Sequence, residues 1–152
     1  MAEHDRVAAQ TVEELLESTL ESVDQAEDTV LRLAAAMGFD EDDRHRIGIA
    51  VRECVVNAVV HGNRYHSRKK VHLTVSRNGE RLEILVGDEG GSFDVSKLPD
   101  PLAEENLLRQ SGRGLLMIRA FMDELHVHRL SEGMEVIMVK NSSPTTSKEE
   151  GK

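Results

Sequence analysis

The chain has 152 residues and a mass of 16.9 kDa, room for one domain with a real core but not for two. Acids outnumber bases 28 to 19, and residues 1–43 alone hold thirteen acids against two bases, which excludes a broad grip on DNA or an anionic membrane and leaves room for a small anionic ligand on the mildly basic remainder. Aromatics at 3%, no Trp, one Cys and no apolar run near the roughly 20 residues of a membrane span exclude a stacking platform for single strands, a disulfide framework and a transmembrane helix.

The N-terminal MAEHDRVAAQ lacks the apolar centre of a signal peptide, so the expected setting is the cytoplasm. Residues 11–23 are ambiguous: Val12, Leu15, Leu16, Leu20 and Val23 fit helical spacing, and Leu16–Val23 also admits an edge strand. Asp24 reads as the N-cap of a helix through Met37, with Gly38 as its stop. Asp40 then caps a second helix, acidic in its first turn, that runs to about His61, where Gly62-Asn63 ends it. Val71, Leu73 and Val75 alternate with polar residues, and Asn78-Gly79 turns the chain into Leu82–Val86, a strong hairpin signal. Residues 87–113 are loop-like, with a short polar helix at 103–109, and a connection of that length inside a compact domain is usually functional. Leu115–Met122 reads as a helix, and Leu125–Leu130 and Val136–Val139 as a strand pair around Glu132-Gly133. The tail 141–152 is polar and reads as disordered. Helices first and hairpins after predict an α+β two-layer sandwich, a mixed and mostly antiparallel sheet with helices on one face.

Three segments carry potential chemistry. In the second helix, IGIAVRECVVNAVV is apolar almost all round and is interrupted by Glu53 and Asn57, which share one face a turn apart. That spacing fits a local hydrogen bond on a solvent stripe or a hard-cation site, since Mg²⁺ bound to phosphates needs only one or two protein oxygens. GDEGGSFD follows a strand directly, and its glycines permit a tight turn and close approach of backbone to a ligand. Ser111-Gly112-Arg113-Gly114 opens a helix whose free N–H groups suit phosphate. Neither a Rossmann fingerprint nor GxxxxGK[ST] nor the motif set of ordinary protein kinases is present. His61, His66, His126 and His128 read as structural or solvent-facing, Cys54 as core, and NRYHSRKK (63–70) as a solvated loop or a partner patch.

In this order and spacing the segments resemble the GHKL (Bergerat-fold) ATPases, most closely their anti-sigma-factor serine kinase branch, over roughly residues 14–140, with 1–13 as an extension. RECVVNAVVHGN (52–63) is similar to the family's N-box, DEGGSFD (88–94) to its first glycine box and SGRGLLMIRAFMDEL (111–125) to its second. The resemblance implies a strand within 14–22, Glu53 as general base and Asn57 as Mg²⁺ ligand. It implies further that Asp88 receives the adenine amino group, that Gly90 admits the base, and that Gly112, Arg113 and Gly114 shape the lid-to-helix turn around the phosphates of ATP.

The implied activity is transfer of the γ-phosphoryl group of Mg-ATP to a serine or threonine of an anti-sigma antagonist protein. Sequestration of a sigma factor and a homodimer go with it, and no direct contact with nucleic acid or membrane is expected. The short inter-box segment and the lack of a preceding histidine-bearing helix pair point away from a sensor histidine kinase. Two departures stand out: Met134-Glu135 follow Gly133 where the family often has Gly-Thr, and Ser92 replaces a common glycine. A nucleotide-binding or purely sequestering module without kinase activity, and an ATPase or histidine kinase fragment, are the alternative readings.

Overall fold

The computed structural model describes residues 9–90 and 114–142. In chain order these are strand β1 (Ala9–Leu16), helices α1 (Glu21–Ala36) and α2 (Glu41–Val56), a π-helical turn (Asn57–Gly62), strands β2 (Val71–Asn78) and β3 (Arg81–Gly87), helix α3 (Gly114–Phe121), and strands β4 (Glu124–Leu130) and β5 (Gly133–Asn141). The strands form one sheet in the order β1-β2-β3-β5-β4. Among the described residues every pairing is antiparallel, in keeping with the expected mostly antiparallel sheet. For β2–β3 and β4–β5 the reason is connectivity, because both are direct hairpins, which enforce antiparallel pairing.

Alternation decides which face is buried. Leu73 and Val75 of β2, Leu82, Ile84 and Val86 of β3, and Val136 and Met138 of β5 point to one side and are all but inaccessible. Val30 and Ala34 of α1, Ile47, Val51 and Val55 of α2, and Leu115 and Ile118 of α3 cover them. Each buried Val, Leu or Ile contributes about 1.5–3 kcal/mol relative to exposure, so this layer is what holds the domain together. Helices α1 and α2 lie close at Gly48, where a methyl group would come within 2.8 Å of the Glu27 carboxylate. Nearby, Arg52 bridges Asp24 and Glu27 at 2.7 Å.

Several elements depart from the sequence expectations. Strand β1 ends the ambiguity of 11–23 in favour of a strand followed by a helix. It begins at Ala9, inside the stretch set aside as an extension, and only residues 14–16 of 14–22 belong to it. Helix α1 starts three residues before the predicted cap, because Ser22 turns back to bond the Glu17 carbonyl at 2.7 Å and folds the first turn early. Asp40 does cap α2, accepting from the Asp43 N–H at 2.8 Å. The expected single helix to His61 is an α-helix to Val56 that loosens into the π-turn. The 103–109 helix and the 143–152 part of the tail lie outside the described residues.

Candidate nucleotide site

Helix α2 and the π-turn form one continuous run that carries Glu53, Asn57 and Gly62. Glu53 and Asn57 are both half-buried, and among the described residues neither side chain has a hydrogen-bond partner. A half-buried carboxylate and amide left without protein partners retain their capacity for a ligand or water. Glu53 reaches the first residue of α3: a Cβ placed on Gly114 would lie 2.9 Å from the Glu53 Cδ and overlap its carboxylate oxygen. Only glycine lets a carboxylate lie this close to the helix start.

The other end of the run meets Asp88. Hypothetical side chains on Gly62 and Gly133 would overlap Asp88 itself, and one on Gly90 would overlap the Gly62 carbonyl and stand 3.1 Å from Asp88 Oδ1. Gly133 has a φ of +118°, a backbone conformation that a side chain would also oppose. Three glycines from three segments thus close around Asp88, a residue only 9% exposed. Burial pushes the Asp88 pKa above the ordinary carboxylate value; the Gly90 N–H, 3.0 Å from Oδ1, the Met134 N–H and Lys69 pull the other way. The Asp88 N–H in turn donates to the Met134 carbonyl at 3.0 Å, fixing the loop to β5.

Asn63 is the residue the sequence reading passed over, as a mere helix terminator. It is buried, its Nδ2 donates to Ser18 Oγ and to the Lys70 carbonyl at 2.9 Å each, and its Oδ1 accepts from the Glu89 N–H at 2.7 Å. It therefore ties three segments together at the base of the Asp88 loop. The signal was available: an amide directly after the glycine that ends an apolar helix has backbone groups to satisfy. Lys69 Nζ adds a bond to the Gly90 carbonyl at 3.3 Å, and His72 donates to Glu89 at 2.5 Å, which lowers the Glu89 pKa.

The remaining sequence candidates divide cleanly. Gly112 and Arg113 lie outside the described residues. Cys54 is buried, and desolvation raises its thiol pKa, as core placement requires. His126 and His128 are exposed on β4 beside Glu124 and Glu135, at 3.1 and 3.9 Å. Glu135 projects to the helix-free face of the sheet, whereas Met134 supplies its backbone to Asp88. Among the described residues no cluster of three or more His, Cys, Asp or Glu is placed to hold a metal by itself. The donor set on this helix, one amide oxygen and one carboxylate, suits a hard cation that takes its other oxygens from phosphate and water.

Residues 16–140 match the family profile described as a histidine kinase-like ATPase domain. Among characterised proteins, the serine-protein kinase RsbW of Bacillus licheniformis is 34% identical over 118 residues, covering 74% of this chain and 73% of that protein. RsbW of Bacillus subtilis strain 168 is 32% identical over the same length and the same shares. Among solved structures, the RsbU and RsbW domains of Rv1364c from Mycobacterium tuberculosis superpose with a TM-score of 0.64 at 20% identity, covering 87% of this chain. The chain spans only 32% of that longer protein. The catalytic domain of the histidine kinase ThkA gives a TM-score of 0.53 at 16% identity, over 89% of this chain and 97% of that one. These likenesses establish the fold, and the sequence matches establish the family.

Proposed function

The chain belongs to the histidine kinase-like ATPase domain family, and from that premise we propose that it is an ATP-dependent serine/threonine kinase of the anti-sigma type. It phosphorylates an anti-sigma antagonist protein and sequesters a sigma factor in exchange. The observation that carries this reading is the Glu53 carboxylate lying against the Gly114 backbone at the start of α3. A base and a phosphate-binding helix start then share one place, the arrangement that phosphoryl transfer needs.

Asp88, at the far end of the same helical run, accepts a hydrogen bond that the adenine amino group offers and guanine does not. The nine residue-to-residue steps from Glu53 to Gly62 cover about 13 Å at helical rise, comparable to an extended nucleoside triphosphate. Asn57 contributes an amide oxygen to Mg²⁺, which when bound with the nucleotide neutralises phosphate charge. Glu53 takes the proton from the acceptor hydroxyl, and the Gly114 N–H group stabilises charge on the transferring group. Gly90 admits the base, and Gly112 and Arg113 complete the phosphate turn.

The proposed partners are the antagonist, a sigma factor and a second copy of the chain. The helix-free sheet face suits the second copy, because Leu15 and Leu130 are exposed there, at 61% and 39%. Among the described residues no helix is long and apolar enough to cross a membrane, and a cytoplasmic setting fits these partners.

The test is transfer of label from γ-³²P-ATP and Mg²⁺ to a purified anti-sigma antagonist. Wild type is expected to give acid-stable phosphoserine or phosphothreonine, and Glu53→Gln to keep ATP binding while losing about 10²–10⁴-fold in rate. Acid-labile phosphohistidine would overturn the serine kinase reading. A second reading, sequestration without transfer, draws on Gly133 being followed by Met134 and Glu135 where the family often has Gly-Thr, and would show as partner binding with no label transferred.

A further inference from the structure

The segment from Arg64 to Lys70 leaves the nucleotide site carrying four cationic residues, and its backbone is costly to hold. Arg64 and Tyr65 have φ of +53° and +61°, two consecutive bulky residues in the left-handed region. That conformation costs about 1–2 kcal/mol per residue. It is fixed by the Tyr65 N–H on the Val59 carbonyl at 2.9 Å, the His66 N–H on the Asn63 carbonyl at 3.0 Å and the Lys69 N–H on the His66 carbonyl at 3.0 Å. The Arg68 N–H closes the loop on His66 Nδ1 at 3.1 Å.

The effect is to present Tyr65, 52% exposed, between two exposed arginines. Lys69 and Lys70 are committed, to the Gly90 carbonyl and to Glu17. Among the described residues Arg64 and Arg68 have neither an ion pair nor a side-chain hydrogen bond, whereas Arg32, Arg46, Arg52 and Arg81 find acids and Arg44 and Arg77 bond backbone carbonyls; Arg119 likewise makes neither. Two exposed arginines without an ion pair among the described residues thus flank an exposed tyrosine, a cationic patch in a chain of net charge -9.

We propose that Arg64, Tyr65 and Arg68 are a docking site for a short acidic polypeptide segment. Guanidinium forks match carboxylates two bonds at a time, and an exposed tyrosine adds apolar area at low entropy cost. The patch is small and is bordered by Glu17 and Glu89. A long polyanion such as a nucleic acid would run onto those acids and the acidic body beyond them, whereas a few carboxylates in an extended peptide would not. The loop adjoins the Asp88 pocket through Asn63 and Lys69, so a docked segment lies beside the nucleotide's base end.

The test needs no phosphoryl transfer, so its outcome is separate from that of the kinase reading. The full chain is titrated against a fluorescein-labelled peptide of alternating glutamate and serine, with anisotropy as readout. Binding that weakens with salt is expected, with at least a tenfold loss in the double variant Arg64→Asn, Arg68→Glu, and a smaller loss in Tyr65→Ala with unchanged salt dependence. Asparagine tolerates positive φ, so Arg64→Asn preserves the loop, and Mg-ATP affinity should be unchanged in all variants. The single Arg68→Glu serves if the double variant is unstable. Failure of folded wild type to bind the peptide, equal binding by the charge variants, or tighter binding of a single-stranded oligonucleotide of matched charge would each overturn the proposal.

Discussion

Replacing Asp88 by asparagine should move nucleotide affinity and stability in opposite directions. Wild-type Asp88 is 9% exposed, and its Oδ1 already accepts from the Gly90 N–H at 3.0 Å. An asparagine keeps its oxygen on that donor and the Met134 N–H, so its NH₂ group is turned toward the ligand, where an adenine amino group is also a donor. The variant thus loses one hydrogen bond to a charged acceptor, worth about 1.5–3 kcal/mol, and Mg-ATP affinity should fall roughly ten- to hundredfold. Stability should rise, because burial is the main cause of the raised Asp88 pKa and the variant has no charge to desolvate. The sign follows from proton binding: between the ordinary carboxylate value of 3.8 and its raised folded value, native Asp88 holds more proton than unfolded Asp88. Wild-type stability therefore gains as pH falls through that window. The variant's advantage should be full above the raised pKa and vanish as pH approaches 3.8. Calorimetric titration and thermal unfolding at several pH values read both effects. Unchanged ATP affinity would refute the adenine assignment, and a lower melting temperature at neutral pH would refute the desolvation argument.

Other consequences are sharper because they separate chemistry from folding. Gly114→Ala places a methyl group on the Glu53 carboxylate, the movable end of a side chain, so the fold should tolerate it within about 1 kcal/mol. Label transfer should nonetheless fall at least tenfold as Glu53 swings aside, and unimpaired transfer would exclude the Glu53–Gly114 arrangement from the reaction. Asn63→Ala strands the Glu89 N–H and the Lys70 carbonyl, at about 1–3 kcal/mol each, which denaturant unfolding would register as a lowered midpoint. Arg129 holds its Nε and Nη2 buried with no hydrogen-bond partner among the described residues. Arg129→Met should therefore raise stability by about 1 kcal/mol or more, and a fall in the unfolding midpoint would show that the guanidinium has a stabilising role there.

The sequence exposed what depends on local pattern. Leu73 and Val75 against Leu82, Ile84 and Val86, with Asn78-Gly79 between, specify a hairpin because the period of two and the turn residues agree. Asp40 specifies a helix start because its carboxylate is the natural partner of a free N–H. Residues 11–23 were illegible for the opposite reason. Val12, Leu15 and Leu16 match a helical stripe, and only pairing with β2, more than fifty residues away in sequence, makes Leu16 a core residue and leaves Leu15 on the open face. The start of α1 was misplaced because Ser22, a weak helix former in isolation, finds the Glu17 carbonyl only once the preceding chain has turned.

The candidate site divides along the same line. Glu53 and Asn57 were legible because polar residues interrupt an apolar helix at a spacing of four. The glycines were legible as turns, but their purpose lies in distances across the fold. Gly62, Gly90 and Gly133 belong to three segments, and each is small so that Asp88 can be enclosed. Enclosure is what raises the Asp88 pKa, and the adenine contact proposed for it would depend on the same enclosure, so neither belongs to the aspartate by itself. Asn63 follows the same logic, since its three bonds run to Ser18, Lys70 and Glu89. A motif names the residues that touch the ligand; the tertiary contacts that fix the position and charge of those residues come from elsewhere in the chain. For this domain those contacts converge on the π-turn, where one helical run passes from Glu53, the proposed base, to the glycine against which Asp88 is held.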